Sequence, residues 1–156
     1  MTAKSLAAAQ FMLNLAQGTS DPSLTPMQLL KLVYIAHGYM LGQHGRPLLD
    51  EPVQAWQYGP VVPSVYRAIK DYRSSPVPRV PGARPMDFDE EEKAAMERVV
   101  NKYGRTAGTV LSAATHRPGT PWSQTWQPTQ KGSCISNDLI EAFYAELLRQ
   151  PKHSAL

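Results

Sequence analysis

Leu29–Tyr66 reads LLKLVYIAHGYMLGQHGRPLLDEPVQAWQYGPVVPSVY. From Leu29 to Leu41 apolar residues cover nearly the whole helical circumference, and a helix apolar all round is buried on most sides. Thr25 is a candidate N-cap, Pro26 suits the first helical position and Gln28 completes a capping box. This is the expected central helix, running to about Gln43 and ended by Gly42, Gly45 and Pro47. Val53–Tyr58 then alternates apolar and polar residues, as a short half-buried strand does. Gly59-Pro60 is expected to break that strand. Pro63 starts a helix to about Arg73, with Val65, Ile69 and Tyr72 on one face. The stretch carries no metal, phosphate or nucleophile signature. It reads as a shape held for another protein to recognise.

Working outward, 156 residues fit one domain, taken as 1–150 with a C-terminal tail at 151–156. A single cysteine, Cys134, permits no internal disulfide and points to a reducing cytoplasm. No apolar run approaches the roughly 20 residues that span a bilayer. Met1–Ala16 reads as a first helix rather than a leader: Gln10 and Asn14 interrupt it, and Lys4 stands without a cationic cluster. Leu6, Ala9, Leu13 and Ala16 give that helix, Lys4–Gln17, its apolar face.

The net charge of +3, from 16 basic and 13 acidic residues, is too mild to announce nucleic acid. Its distribution says more. Arg67, Lys70, Arg73, Arg79 and Arg84 form a basic stretch interrupted only by Asp71, and Asp87 and Asp89–Glu92 follow at once. The acidic run fits the start of a helix from about Asp89 to Tyr103, where carboxylates favour the helix dipole. Its apolar stripe is read as Ala94, Ala95, Val99 and Tyr103. Between the two charge blocks, Ser74–Pro85 holds Pro76, Pro78, Pro81 and Pro85 and is expected to be an exposed, polyproline-like loop. Thr106 is taken to cap a shorter helix through Thr115, with Val110, Leu111 and Ala114 inward. Thr120-Pro121 opens a turn holding Trp122 and Trp126, Cys134-Ile135 is a minimal strand, and Ser136 caps a last helix to about Arg149 with Leu139, Ile140, Phe143 and Leu147 apolar. The fold class that results is mainly α: a compact single domain of six or seven helices with one small β element.

Leu29–Tyr39 (LLKLVYIAHGY) resembles the LQKLLYYAQGW helix of the Panacea domain family, which comprises SocA-like antitoxins and GepA-type phage-associated proteins. Gly45–Glu51 is similar to its GKPLFDE turn, and Ala55–Pro63 (AWQYGPVVP) to its AWKYGPVVP signature. Thr115-His116-Arg117 with Pro121-Trp122 resembles the SH…PW segment, and Ile135-Ser136 the closing pattern before the last helix. Val33 stands where the motif has Leu, a swap of similar volume. The resemblance spans almost the whole chain and makes Leu29, Leu32, Tyr34, His37, Gly38, His116 and Trp122 structural signature positions. It implies a non-enzymatic, antitoxin-like domain, free of cofactor and metal, that binds a cognate protein toxin. Its alternative is an adaptor that delivers a toxin to a bacterial ATP-dependent protease. It brings no catalytic residues.

Among chemistry-bearing residues, His37 and His44 are seven apart on one helix, about 10.5 Å of rise, too far to share an ion. Each reads as a core or interface histidine satisfied by a hydrogen bond. His116 is expected to order the loop beside Trp122. Cys134 reads as a buried structural cysteine in preference to a nucleophile paired with His116. On the strand, Val53, Ala55 and Gln57 share one face and Gln54, Trp56 and Tyr58 the other. Trp56 packing on the central helix while Tyr58 anchors the turn is favoured over direct partner contact, though aromatics serve both. The candidate partner-binding residues are Trp56, Tyr58, Gly59, Pro60, Tyr66, Arg67, Lys70, Arg73 and Arg79, a surface suited to an acidic protein. Nucleic acid is disfavoured because the basic stretch lacks interleaved aromatics beyond Tyr72.

Overall fold

The computed structural model describes residues 2–19 and 23–150; the expected tail at 151–156 lies outside them. The described elements are α1 (Thr2–Gln17), α2 (Pro26–His44), β1 (Val53–Trp56), β2 (Gly59–Val61), α3 (Pro63–Ile69) with a 3-10 turn (Lys70–Tyr72), α4 (Glu90–Tyr103), α5 (Gly108–His116), β3 (Ser133–Ile135) and α6 (Asn137–Arg149). The protein is mainly α, with one small sheet.

Helix α2 forms where its local signals place it. The Thr25 hydroxyl accepts from Gln28 N–H, and the Gln28 side chain accepts from Thr25 N–H at 2.9 Å. Gly45 closes the other end at φ 69°, a left-handed conformation that glycine enters without a Cβ penalty. Every residue from Leu29 to Leu41 is buried. Helices α1, α3, α4, α5 and α6 all pack against this one rod. Helix α4 begins with a second capping box, Asp89 with Glu92. None of the helices among the described residues is long and apolar enough to cross a membrane.

Gly59-Pro60 does not end the β structure; it begins β2. The sheet order is β2-β1-β3, with Ala55 opposite Pro60 and Trp56 opposite Gly59. Proline is tolerated there because β2 is an edge strand. The helix expected to reach Arg73 stops at Ile69 and tightens into the 3-10 turn.

The 74–85 segment is not simply a free loop. Val77 and Val80 are buried, Val77 N–H donates to Leu24 O, Val80 N–H donates to the Gln10 side chain at 2.7 Å, and Gln17 donates to Pro78 O at 3.1 Å. The segment is stitched to α1 because its valines supply apolar area that the prolines alone do not. In α4, Ala94 is exposed, and Met96 and Val100 join the core instead. Val110 is 56% exposed. Helix α5 starts at Gly108 with Ala107 at the cap position and no side-chain cap, one residue later than a Thr106 cap requires. There Gly108 lies against Met27, whose Cγ would stand 2.8 Å from an added Cβ. Cys134 is exposed, because Ile135 is the β3 residue turned inward. In α6 the deeply buried side chains are Ile140 and Tyr144, while Leu139, Phe143 and Leu147 are half-buried.

Candidate partner-binding site

The β1–β2 hairpin is gripped by its main chain. The Lys31 ammonium, projecting from the second turn of α2, donates to Pro60 O at 2.9 Å and to Tyr58 O at 3.4 Å. The Ser112 hydroxyl of α5 donates to the same Tyr58 carbonyl at 2.7 Å. The Trp122 indole N–H donates to Trp56 O at 2.6 Å. Gly59, at φ 120°, lies directly over Lys31: an added Cβ would meet Nζ at 3.0 Å, with the Thr115 and His116 side chains behind it. Three elements distant in sequence therefore converge on alternate carbonyls of one hairpin, those of Trp56, Tyr58 and Pro60.

With its carbonyls held, the hairpin presents side chains outward. Tyr58 is 66% exposed. It does not anchor the turn through its ring; its carbonyl is what is held. Trp56 is half-buried, with its N–H on the Gln54 side chain at 2.9 Å and its ring edge-on to Tyr66 at 4.8 Å. Arg67, Lys70 and Arg73 follow on α3 and the 3-10 turn, all exposed. Arg73 sits at φ 59°, an uncommon conformation for a residue with a Cβ. Gly59 and Pro60 are themselves buried, so they shape the surface rather than offer side chains to it. Arg79 lies apart from the hairpin, beside α1.

The two charge blocks differ in their pairing. The acidic run is engaged within the chain: Asp89 and Glu91 with Arg46, Glu92 with Lys4, Glu90 with Lys93. Among the described residues, Arg67, Lys70, Arg73 and Arg79 form no ion pair. Their charge faces solvent uncompensated.

Leu29, Leu32, Tyr34, His37 and Gly38 are buried within α2, and His116 and Trp122 are half-buried at the hairpin. His37 Nδ1 accepts from Leu49 N–H at 3.2 Å and Nε2 lies 3.1 Å from the Asn137 side-chain oxygen. That pair of partners selects the neutral ring with the proton on Nε2, and burial lowers its pKa to about 4 against the Asn137 bond that raises it. His44 faces Glu91 at 3.3 Å. The His116 ring packs edge-on to Trp122 at 5.2 Å, and Trp122 stacks on Trp126. Burial lowers the Lys31 pKa to about 7. Sequence reasoning passed over Lys31 and Ser112; one lysine inside an otherwise apolar helix was the available signal. No group of three His, Cys, Asp or Glu side chains able to hold a metal occurs among the described residues.

The profile of the family described as "Antitoxin SocA-like, Panacea domain" matches residues 29–123. The chain belongs to that family. Antitoxin SocA of Caulobacter vibrioides is 34% identical over 130 residues, a match covering 74% of this chain and 66% of the relative, just under two-thirds of that protein's length. No solved structure matches the chain. The Panacea match takes in α2 from Leu29, the hairpin, α3, α4, α5 and Trp122, and so all three side chains that donate to the hairpin carbonyls, Lys31, Ser112 and Trp122; β3, which pairs with β1, lies beyond it. It leaves out α6, whose Tyr144 packs tightest against the central helix.

Proposed function

We propose that this chain is a non-enzymatic, antitoxin-like domain that neutralises a cognate protein toxin by direct complex formation through the hairpin face. The observation that carries the reading is the pairing of a rigidly held turn with an exposed Tyr58 and uncompensated cations at Arg67, Lys70 and Arg73. A surface fixed before binding loses little conformational entropy on binding, and aromatic and arginine side chains supply most hot-spot energy. Membership in a family described as SocA-like antitoxins, and likeness to antitoxin SocA, supply the class of partner. Trp56 and Tyr66 form the half-buried base of the patch and Tyr58 its exposed centre. The uncompensated charge favours an acidic toxin surface.

The test is co-expression with the protein encoded next to this one. Rescue of growth together with a stable co-purifying complex supports neutralisation. Rescue with protease-dependent disappearance of the partner supports an adaptor instead. A harmless neighbour that does not bind removes the reading. Tyr58→Ala, whose side chain is largely solvated, is expected to weaken the complex at least tenfold while leaving the melting temperature in place. Unchanged affinity would move the interface off this turn.

A further inference from the structure

A second feature lies outside the hairpin face and independent of it. Between α1 and the 79–88 segment runs an open groove of about 510 Å³, within the roughly 300–1,000 Å³ range of sites that hold a ligand or an anchoring side chain. Phe11, Val80, Met86 and Phe88 line its floor, and Arg79 and Arg84 line it with charge. Met86 is 41% exposed, and Phe11 meets Phe88 edge-on at 5.6 Å.

Three observations suit the groove to an occupant. It is preformed: the hydrogen bonds from Val80 to Gln10 and from Gln17 to Pro78 fix one wall, and Pro76, Pro78, Pro81 and Pro85 stiffen it. Its arginines are uncompensated: among the described residues neither is in an ion pair, and the adjacent Asp89–Glu92 run is engaged with Arg46, Lys4 and Lys93. Its floor is apolar, which a nucleic-acid backbone would leave unfilled. A second copy would bring an acidic run already neutralised by its own basic residues.

We infer that this groove is a docking site for an extended segment of a partner protein that carries a bulky apolar side chain flanked by carboxylates. The apolar side chain fills the space over Met86 and Val80, and the carboxylates pair with the Arg79 and Arg84 guanidinium groups, bidentate where the geometry allows.

The test is selection of random twelve-residue peptides displayed on phage against the full chain, followed by fluorescence-anisotropy titration of the enriched peptides. Enriched peptides are expected to combine Phe, Leu, Ile, Met or Trp with at least two Asp or Glu. Their affinity should fall at least tenfold in Arg79→Glu/Arg84→Glu and in Met86→Glu, fall with added salt, and stay unchanged in Arg67→Glu/Lys70→Glu. All three sites are exposed, so the variants should melt with the parent, which a thermal scan checks. The inference is overturned if no peptide is enriched or if enriched peptides lack acidic residues. It is equally overturned if the groove variants bind as the parent does, if oligothymidine competes at equal affinity, or if those variants abolish a self-association of the free chain. Loss of binding in Arg67→Glu/Lys70→Glu alone would place the peptides on the hairpin face and sink the groove while leaving the toxin-binding reading untouched.

Discussion

The central helix meets its neighbours across two unlike seams. Against α6 the seam is steric. A Cβ at Gly38 would lie 2.4 Å from the Tyr144 ring, and one at Gly42 would lie 2.6 Å from the Tyr144 backbone carbonyl carbon. The Tyr34 and Tyr39 rings pack on Tyr144 from either side at 6.1 and 5.9 Å. Against the hairpin the seam is polar, made of Lys31 and, from α5 and the 120–126 turn, Ser112 and Trp122, all donating to main-chain carbonyls. A steric seam tolerates almost no change in side-chain volume. A seam that holds only carbonyls fixes the path of the chain and leaves its outward side chains free to differ. The first secures the fold, and the second carries the face proposed to meet a partner.

The largest test of this contrast is Gly38→Ala. The fully buried Tyr144 ring has no room to retreat, so a loss of about 3 kcal/mol or more is expected in urea unfolding. Tyr144→Leu should recover part of that loss in the Gly38→Ala background and none in Gly42→Ala, where the clash is with backbone. A Gly38→Ala cost below about 0.5 kcal/mol, the range of ordinary surface changes, would mean the seam is not steric.

Next comes His37, which ties α2 to Leu49 and to the start of α6. Its folded pKa, about 4, lies below the ordinary 6.5, so the unfolded chain takes the proton first. Stability present above pH 6.5 is therefore lost as pH falls from about 6.5 to about 4, by on the order of 3 kcal/mol. Urea midpoints across that range should slope downward with acid, and the His37→Leu slope should be shallower. Equal slopes would remove His37 from the account.

On the polar seam the sign is the same and the window lies higher. The folded pKa of Lys31, about 7, lies below the ordinary 10.5, so protonation penalises the folded state at and below neutrality. Stability should rise as pH increases from 7 to 9.5, by on the order of 2 kcal/mol, and Lys31→Met should flatten the rise. The window stops there because burial raises the Tyr34, Tyr39, Tyr103 and Tyr144 pKa values, which reduces stability once unfolded tyrosines ionise near pH 10. A flat parent profile between pH 7 and 9.5 would contradict the buried position of the ammonium.

The smallest effect on stability belongs to Arg67→Glu/Lys70→Glu on the outer face. The change in unfolding free energy should stay within about 0.5 kcal/mol, while binding of the cognate toxin should drop and lose its salt dependence. Lost stability with retained binding would invert the roles assigned to scaffold and surface.

Much of the scaffold was legible. The Thr25–Gln28 capping box, the all-round apolar α2, the alternation at Val53–Trp56 and the Ser136 start of α6 are local patterns, and local patterns are what hydrophobic period and capping chemistry encode. The errors fell where distant residues decide. Val77 and Val80 turned an apparent linker into a wall of α1. Tyr144 took the place that the α6 spacing had spread over Leu139, Phe143 and Leu147. Cys134 faces outward because a three-residue strand has only its pairing with β1 to choose its face.

By itself the sequence determined the central helix and its ends, the mainly α class and the family, because each rests on residues within a few positions of one another. Only the tertiary structure decided the candidate site. Its grip joins residues 29, 54 and 66 positions apart, Lys31 with Pro60, Ser112 with Tyr58 and Trp122 with Trp56. No period or cap records such pairings: a backbone carbonyl accepts from any donor brought within reach, and what brings these donors together is the packing of α5 against the rod of α2 and of Trp122 against His116 at the end of α5.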